Sequence, residues 1–210
     1  MAETTVVHLL RHGEVHNPDG VLYGRLPGYH LSANGRMMAA AAADFFDGRP
    51  VAAIFASPLE RAQETAAPVA ERLGLEIVTN DRLIESANVL EGRTVTLTQL
   101  AVNPRNWRYL WNPFRPSWGE PYTEVVARMR EAIAEAREAA RGKEAVCVSH
   151  QLPIWVSRLA AEHRRLWHNP KARQCALGSV TSFTFDGDQL TGVSYAVPPR
   201  RQVADPDRAQ

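Results

Sequence analysis

Three features of the chain predict an α/β fold built on a mostly parallel sheet. Short apolar runs at Val6–Leu10, Val51–Ala56 and Leu75–Thr79 alternate with helical stretches, the pattern of crossover helices between parallel strands. The run Val6-Val7-His8-Leu9-Leu10 is almost continuously apolar and twice β-branched, as a strand covered on both faces would be. It ends on Arg11-His12-Gly13, and strand ends are where open α/β sheets bind ligands.

Taken in order, the elements have local reasons. Gly13 lets the backbone turn and come close to a ligand. Glu14 to His30 is rich in Asn, Pro, Asp, Gly and Tyr without periodicity, and reads as a long functional loop. Ser32 or Asn34 caps a helix through the alanine run to Phe46, ended by Asp47-Gly48. After the second strand, Ser57-Pro58 supplies an N-cap and a proline at the first helical position of a helix reaching Leu73, closed by Gly74. Between Ile84 and Gly119 periodicity weakens. There Trp107, Trp111, Phe114 and Trp118 interleave with Arg105, Arg108 and Arg115, and are read as a packed cap over the site. Pro121 to Arg141 carries Val125, Met129 and Ile133 at amphipathic spacing. Ala145–Val148 is a buried strand ending on Ser149-His150, and Pro153 to Ala161 is the helix after it. Val180–Phe185 and Gln189–Val197 flank Asp186-Gly187 as a hairpin, and the charged, proline-rich stretch 198–210 reads as a disordered tail.

Composition excludes several classes. A chain of 210 residues suits one domain, here 1–197, with an insert at about 92–120. A formal charge of +1 argues against a generic nucleic-acid or membrane-surface binder. Cys147 and Cys175 are too few for a disulfide framework and show no CxxC spacing. Glu3 and the absence of a basic stretch before an apolar core give no sign of a leader, so a cytoplasmic protein is expected. An enzyme of this size can also pair as a homodimer.

The chemistry collects at two strand-end histidines, His12 and His150, with Arg11 beside one of them. Arg61 lies in the first turns of a helix whose N-terminus offers unpaired amides, and a guanidinium there suits bidentate phosphate binding. Cationic donors surround a nucleophile, and no carboxylate cluster suggests a metal or other cofactor. His8 is expected to be a satisfied core or edge histidine. His16 and His30 are expected on the loop surface, His163 and His168 in solvent.

Leu10-Arg11-His12-Gly13-Glu14, Ser57-Pro58-Leu59-Glu60-Arg61-Ala62-Gln63-Glu64-Thr65-Ala66, Leu83-Ile84-Glu85, Glu91-Gly92, Gly119-Glu120 and Val148-Ser149-His150 together resemble the histidine phosphatase superfamily, the phosphoglycerate mutase-like proteins (branch 1 type). The pieces occur in the family's order from residue 6 to about 160. The resemblance implies a three-layer α/β/α sandwich with a mostly parallel sheet. It implies that His12 carries the phosphoryl group, that Arg11, Arg61 and His150 hold the non-bridging oxygens, and that Glu85 is the general acid and base, preferred over Glu91. Asn17 matches a loop position that can donate to phosphate, and Tyr23 is a candidate substrate contact. The partner it implies is a small phosphorylated molecule. Gln151 stands where most members have glycine, so its side chain can narrow the pocket or contact substrate. The insert lacks the basic segment of cofactor-dependent phosphoglycerate mutases. A phosphatase is therefore favoured over a mutase, and over a non-catalytic phospho-ligand module, which needs neither nucleophile nor acid.

Overall fold

The computed structural model describes residues 3–88, 91–94 and 119–199. Among these, one sheet is flanked by four α-helices. In chain order the elements are β1 (Thr4–Arg11), α1 (Ala33–Phe46), β2 (Val51–Ala56), α2 (Glu60–Leu73), β3 (Ile77–Thr79), α3 (Tyr122–Ala139), β4 (Glu144–Ser149), α4 (Gln151–Ala161), β5 (Val180–Asp186) and β6 (Gln189–Ala196). The strand order is β3-β2-β4-β1-β5-β6. The first four run parallel, and β5 and β6 add an antiparallel edge. The mostly parallel α/β architecture expected from the alternating pattern is the one observed.

Burial on both faces explains why the strands read as unbroken apolar runs. On one face Leu10, Ile54, Val146 and Val148 pack against Ala42 and Phe46 of α1 and Ala66 and Val69 of α2. On the other, Val7, Leu9, Phe55 and Cys147 meet Val125, Met129 and Ile133 of α3 and Ile154 of α4. Burying each large aliphatic side chain contributes about 1.5–3 kcal/mol. His8, inside β1, bonds Ser182 at 2.8 Å and Glu144 at 3.0 Å, a satisfied core histidine as its position suggests.

Element ends differ from the sequence reading where side chains have other partners. Ser32 caps α1 by accepting from the Gly35 amide, while Asn34 donates to Glu14. Ser57 does not cap α2: the helix begins at Glu60 with Leu59 as its N-cap and no side-chain cap bond. The Ser57 hydroxyl is taken instead by His150. β3 starts at Ile77, because the Leu75 amide bonds back to the Ala70 carbonyl and extends the end of α2. α4 begins at Gln151, ahead of Pro153, whose missing N–H costs nothing in a first turn. The aromatic stretch from Trp107 to Trp118 and the tail beyond residue 199 lie outside the described residues. No helix among the described residues is long and apolar enough to cross a membrane.

Candidate active site

Register brings the two histidines together. β1 and β4 are parallel neighbours with Arg11 paired to Ser149, so the next residue of each, His12 and His150, leaves the sheet at the same level. Their ring centroids lie 5.1 Å apart. The backbone is fixed there by the His12 amide donating to the Ser149 carbonyl and the Arg11 amide donating to that of Ser179.

His12 is 2% exposed, and its Nδ1 lies 2.7 Å from the Gly13 carbonyl. A carbonyl only accepts, so Nδ1 carries the proton and Nε2 keeps its lone pair. Burial, then Arg61 and Arg11, lower the pKa of this imidazole to about 3. It is therefore neutral, and its Nε2 nucleophilic, across the whole physiological range. Gly13 serves a different close approach from the one expected. A Cβ there would stand 2.5 Å from the Gly35 carbonyl oxygen, so the glycine admits the start of α1 against the loop that follows His12. The Gly13 amide donates to Thr65 Oγ1 at 3.0 Å, and that hydroxyl donates to the Arg61 carbonyl. Thr65 thus ties the loop to α2. Glu14 braces the same loop by accepting from Ser32 and Asn34.

Around His12 lie donors with nothing to donate to. Arg11 spends Nη1 on the Cys175 carbonyl at 2.6 Å, but its Nε has no partner. Arg61 is fully buried and spends Nη2 on the Gly24 carbonyl at 2.5 Å, leaving Nε and Nη1 unpaired. His150 meets Ser57 Oγ through Nε2 at 2.8 Å, and its Nδ1 is unpaired. Ser57 Oγ also lies 3.4 Å from the Leu59 amide, which donates to it. With the Ser57 hydroxyl proton turned to Nε2, the imidazole proton sits on Nδ1, where it is free to donate. Burial foremost pushes the His150 pKa far down, so it too is neutral. Four of the eight buried side-chain polar atoms unpartnered among the described residues belong to these three side chains. Each costs on the order of 1–3 kcal/mol unless an acceptor meets it. Such a set suits an anion with several oxygens.

A cavity of about 300 Å³ opens onto His12, with Arg11, Tyr23, Glu85, Gln151 and Arg173 among its walls. Arg61 and His150 are both 0% exposed and stand behind this wall. The Tyr23 ring covers the Arg61 guanidinium at 4.7 Å. Gly24, at φ +40°, turns its carbonyl toward Arg61, and a Cβ there would lie 2.3 Å from Glu91 Oε1.

Glu85 follows a 3-10 turn at Asp81–Leu83 capped by Asn80. Ser149 Oγ at the end of β4 holds that turn through the Leu83 carbonyl at 2.7 Å, and Arg25 Nε holds the Glu85 carbonyl at 2.6 Å. Its Oε1 accepts from the Ser86 amide at 2.8 Å. Burial outweighs that bond and the arginines and raises its pKa, which suits a carboxyl that must donate a proton. Glu91 is tied to the Asn88 amide and is a loop brace. Asn17 bonds both the amide and the carbonyl of Val21, so its side chain staples its own loop and is not in the cavity wall.

Sequence reasoning missed Arg173 and the part His168 plays in orienting it, while Gln151, singled out as a pocket residue, meets Arg173 Nη1. His168, expected in solvent, is half-buried beside Tyr122 and Trp155, with ring centroids at 5.6 and 5.9 Å. Ser57 and Thr65 stood inside a motif already singled out, but only contacts reveal that one orients His150 and the other holds Gly13. Among the described residues no group of three His, Cys, Asp or Glu side chains is placed to hold a metal ion.

Fold and site together define an α/β protein with a set of unpaired buried donors gathered around a buried neutral histidine at a strand end. The profile of the histidine phosphatase superfamily (branch 1) matches residues 7–198, and the chain belongs to that family. It is 57% identical over 199 residues to an uncharacterized protein of Mycobacterium tuberculosis, covering 94% of this chain and 98% of that one. It is 33% identical over 131 residues to a glucosyl-3-phosphoglycerate phosphatase of the same species, covering 60% of this chain and 58% of that enzyme. Among solved structures, mycobacterial glucosyl-3-phosphoglycerate phosphatase superposes with a TM-score of 0.75 at 26% identity, covering 92% of this chain and 98% of that one. Bacillus stearothermophilus YhfR superposes at 0.76 and 26%, covering 89% and 94%.

Proposed function

We propose that this protein is a metal-independent phosphatase that hydrolyses small phosphomonoesters through a phosphohistidine on His12. The observation that carries this reading is the free Nε2 of a neutral His12 among the unpaired donors of Arg11, Arg61 and His150. The likeness to phosphatases among its relatives supports the same class.

In the first step the Nε2 lone pair forms the N–P bond as the P–O bond to the leaving group breaks. The departing oxygen takes the Glu85 proton. Arg11, Arg61 and His150 donate to the non-bridging oxygens, whose charge is stabilised by donors already oriented before reaction. The Tyr23 ring, which covers the guanidinium, moves aside for the free Nε and Nη1 of Arg61 to meet the phosphoryl group, while Nη2 keeps its bond to the Gly24 carbonyl. In the second step the Glu85 carboxylate takes a proton from water, the water oxygen attacks phosphorus, and the N–P bond returns its electron pair to Nε2. Phosphate leaves, and both residues regain their starting states.

The test is p-nitrophenyl phosphate hydrolysis with EDTA present, for wild type and His12→Ala. The expected result is turnover that survives chelation and vanishes in the variant. Turnover retained by His12→Ala, or abolished by EDTA, overturns the reading. Rapid interconversion of 3- and 2-phosphoglycerate without net phosphate release would assign a mutase instead.

A further inference from the structure

We infer that Arg173 forms a second anion subsite in the cavity, fitted to a carboxylate on the part of the substrate that leaves with the ester oxygen. This rests on the phosphatase reading for the site's orientation, but not for its existence.

Arg173 lines the same cavity as His12, Arg11 and Glu85, from the segment that leads into β5. Its guanidinium is mounted, not loose. Nε donates to His168 Nε2 at 2.8 Å, and Nη1 reaches Gln151 Oε1 at 3.3 Å. His168 is set in turn: its Nδ1 donates to the Leu166 carbonyl at 2.6 Å, so Nε2 must be the accepting nitrogen. The Tyr122 and Trp155 rings hold the imidazole plane. His168 and Gln151 are thus positioning residues. Gln151, standing where the family usually has glycine, has a specific task on this view.

The mounting leaves Nη2 with no hydrogen bond and no ion pair among the described residues; the Glu85 carboxyl acts on the guanidinium only through space, and the arginine stays charged there. A neutral hydroxyl would waste that charge. A second phosphate would need more positive charge than the described residues of the wall offer. Among the described residues Arg25 and Arg128 both pair with Glu120, and Arg11 belongs to the phosphoryl centre. One spare positive charge beside Glu85 matches one negative charge, and a planar fork matches a carboxylate. The chemical class is a phosphomonoester of a small hydroxy acid.

The experiment measures calorimetric Kd in the His12→Ala background, where hydrolysis is blocked, for matched pairs: 3-phosphoglycerate against glycerol 3-phosphate, and phosphoserine against phosphoethanolamine. At least one carboxylated member is expected to bind roughly tenfold or more tighter than its match. Adding Arg173→Met should collapse that ratio, and Arg173→Lys should restore part of it. His168→Phe, which keeps the ring packing, should weaken only the carboxylated member. In the active enzyme the same ratio should be lost through KM, with kcat less affected. Damage to folding or to the phosphoryl centre cancels in the ratio. Equal affinities within every pair, or a preference that survives Arg173→Met, overturn the subsite. A ratio that behaves as expected in a wild-type protein that hydrolyses nothing would sink the phosphatase reading and leave the subsite standing.

Discussion

At the residue scale the site separates its two titrating partners by environment. Both are buried, and burial favours the neutral form of each: it makes His12 a base too weak to be protonated and Glu85 an acid that holds its proton longer. Glu85→Gln should therefore lower kcat/KM for alkyl phosphates by roughly 10²–10⁴, and far less for aryl phosphates, whose oxygen leaves unprotonated. Equal losses for both would show that Glu85 is not the acid. Ser57→Ala frees His150 to turn and release its Nδ1 proton from the phosphoryl oxygens. Steady-state kinetics should show kcat/KM falling about tenfold or more, up to roughly 10² for a fully lost oxyanion donor, with the protein still folded. A change below twofold would make Ser57 irrelevant to the reaction. Neither role of burial was legible in the sequence, which points to His12 and Glu85 by motif but does not say how deeply each side chain is covered.

At the scale of elements, what the sequence made legible was what repeats. β1 and β4 show as apolar runs because both faces are covered, and each announces its end with a histidine. The pairing of Arg11 with Ser149 then follows from a register that sequence does not state. Arg173 stayed hidden because its segment has no periodicity and its partner His168 looked like a surface histidine among arginines. Helix starts slipped for a related reason: Ser57 resembles a cap until its hydroxyl is seen to have another use. The meeting of the nucleophile's loop with α1 is tested by Gly13→Ala. Its Cβ would press on a backbone carbonyl that cannot rotate away. Overpacking of this kind costs about 1–3 kcal/mol, so the melting temperature should drop and activity with it. An unchanged melting temperature would mean that α1 yields easily. Thr65→Val keeps the shape but strands the Gly13 amide, and denaturant unfolding should show a loss of the same order.

At the scale of the whole molecule, the same buried histidines link stability to pH. His12, His150 and His8 all have lowered pKa values, chiefly through burial, so the unfolded chain binds protons that the folded one refuses. For His12 the window runs from its ordinary 6.5 down to about 3. Stability should therefore be full near neutrality and fall with acidification, by up to ~1.4 kcal/mol per pH unit for each histidine. Calorimetric melting between pH 7 and 4.5 checks this, and a melting temperature that rises on acidification would contradict it. Strand ends that deliver two neutral histidines and Arg11 to one point, where α2 adds Arg61, lead to the central claim that His12 itself carries the phosphoryl group. The most direct test is to mix Glu85→Gln protein with p-nitrophenyl phosphate, quench in base and locate the modification by peptide mass spectrometry. Without its base the variant should accumulate a phosphoryl group on His12 that survives alkali and is lost in acid. No label in a variant that still releases p-nitrophenol, or a label on any other residue, would contradict the account.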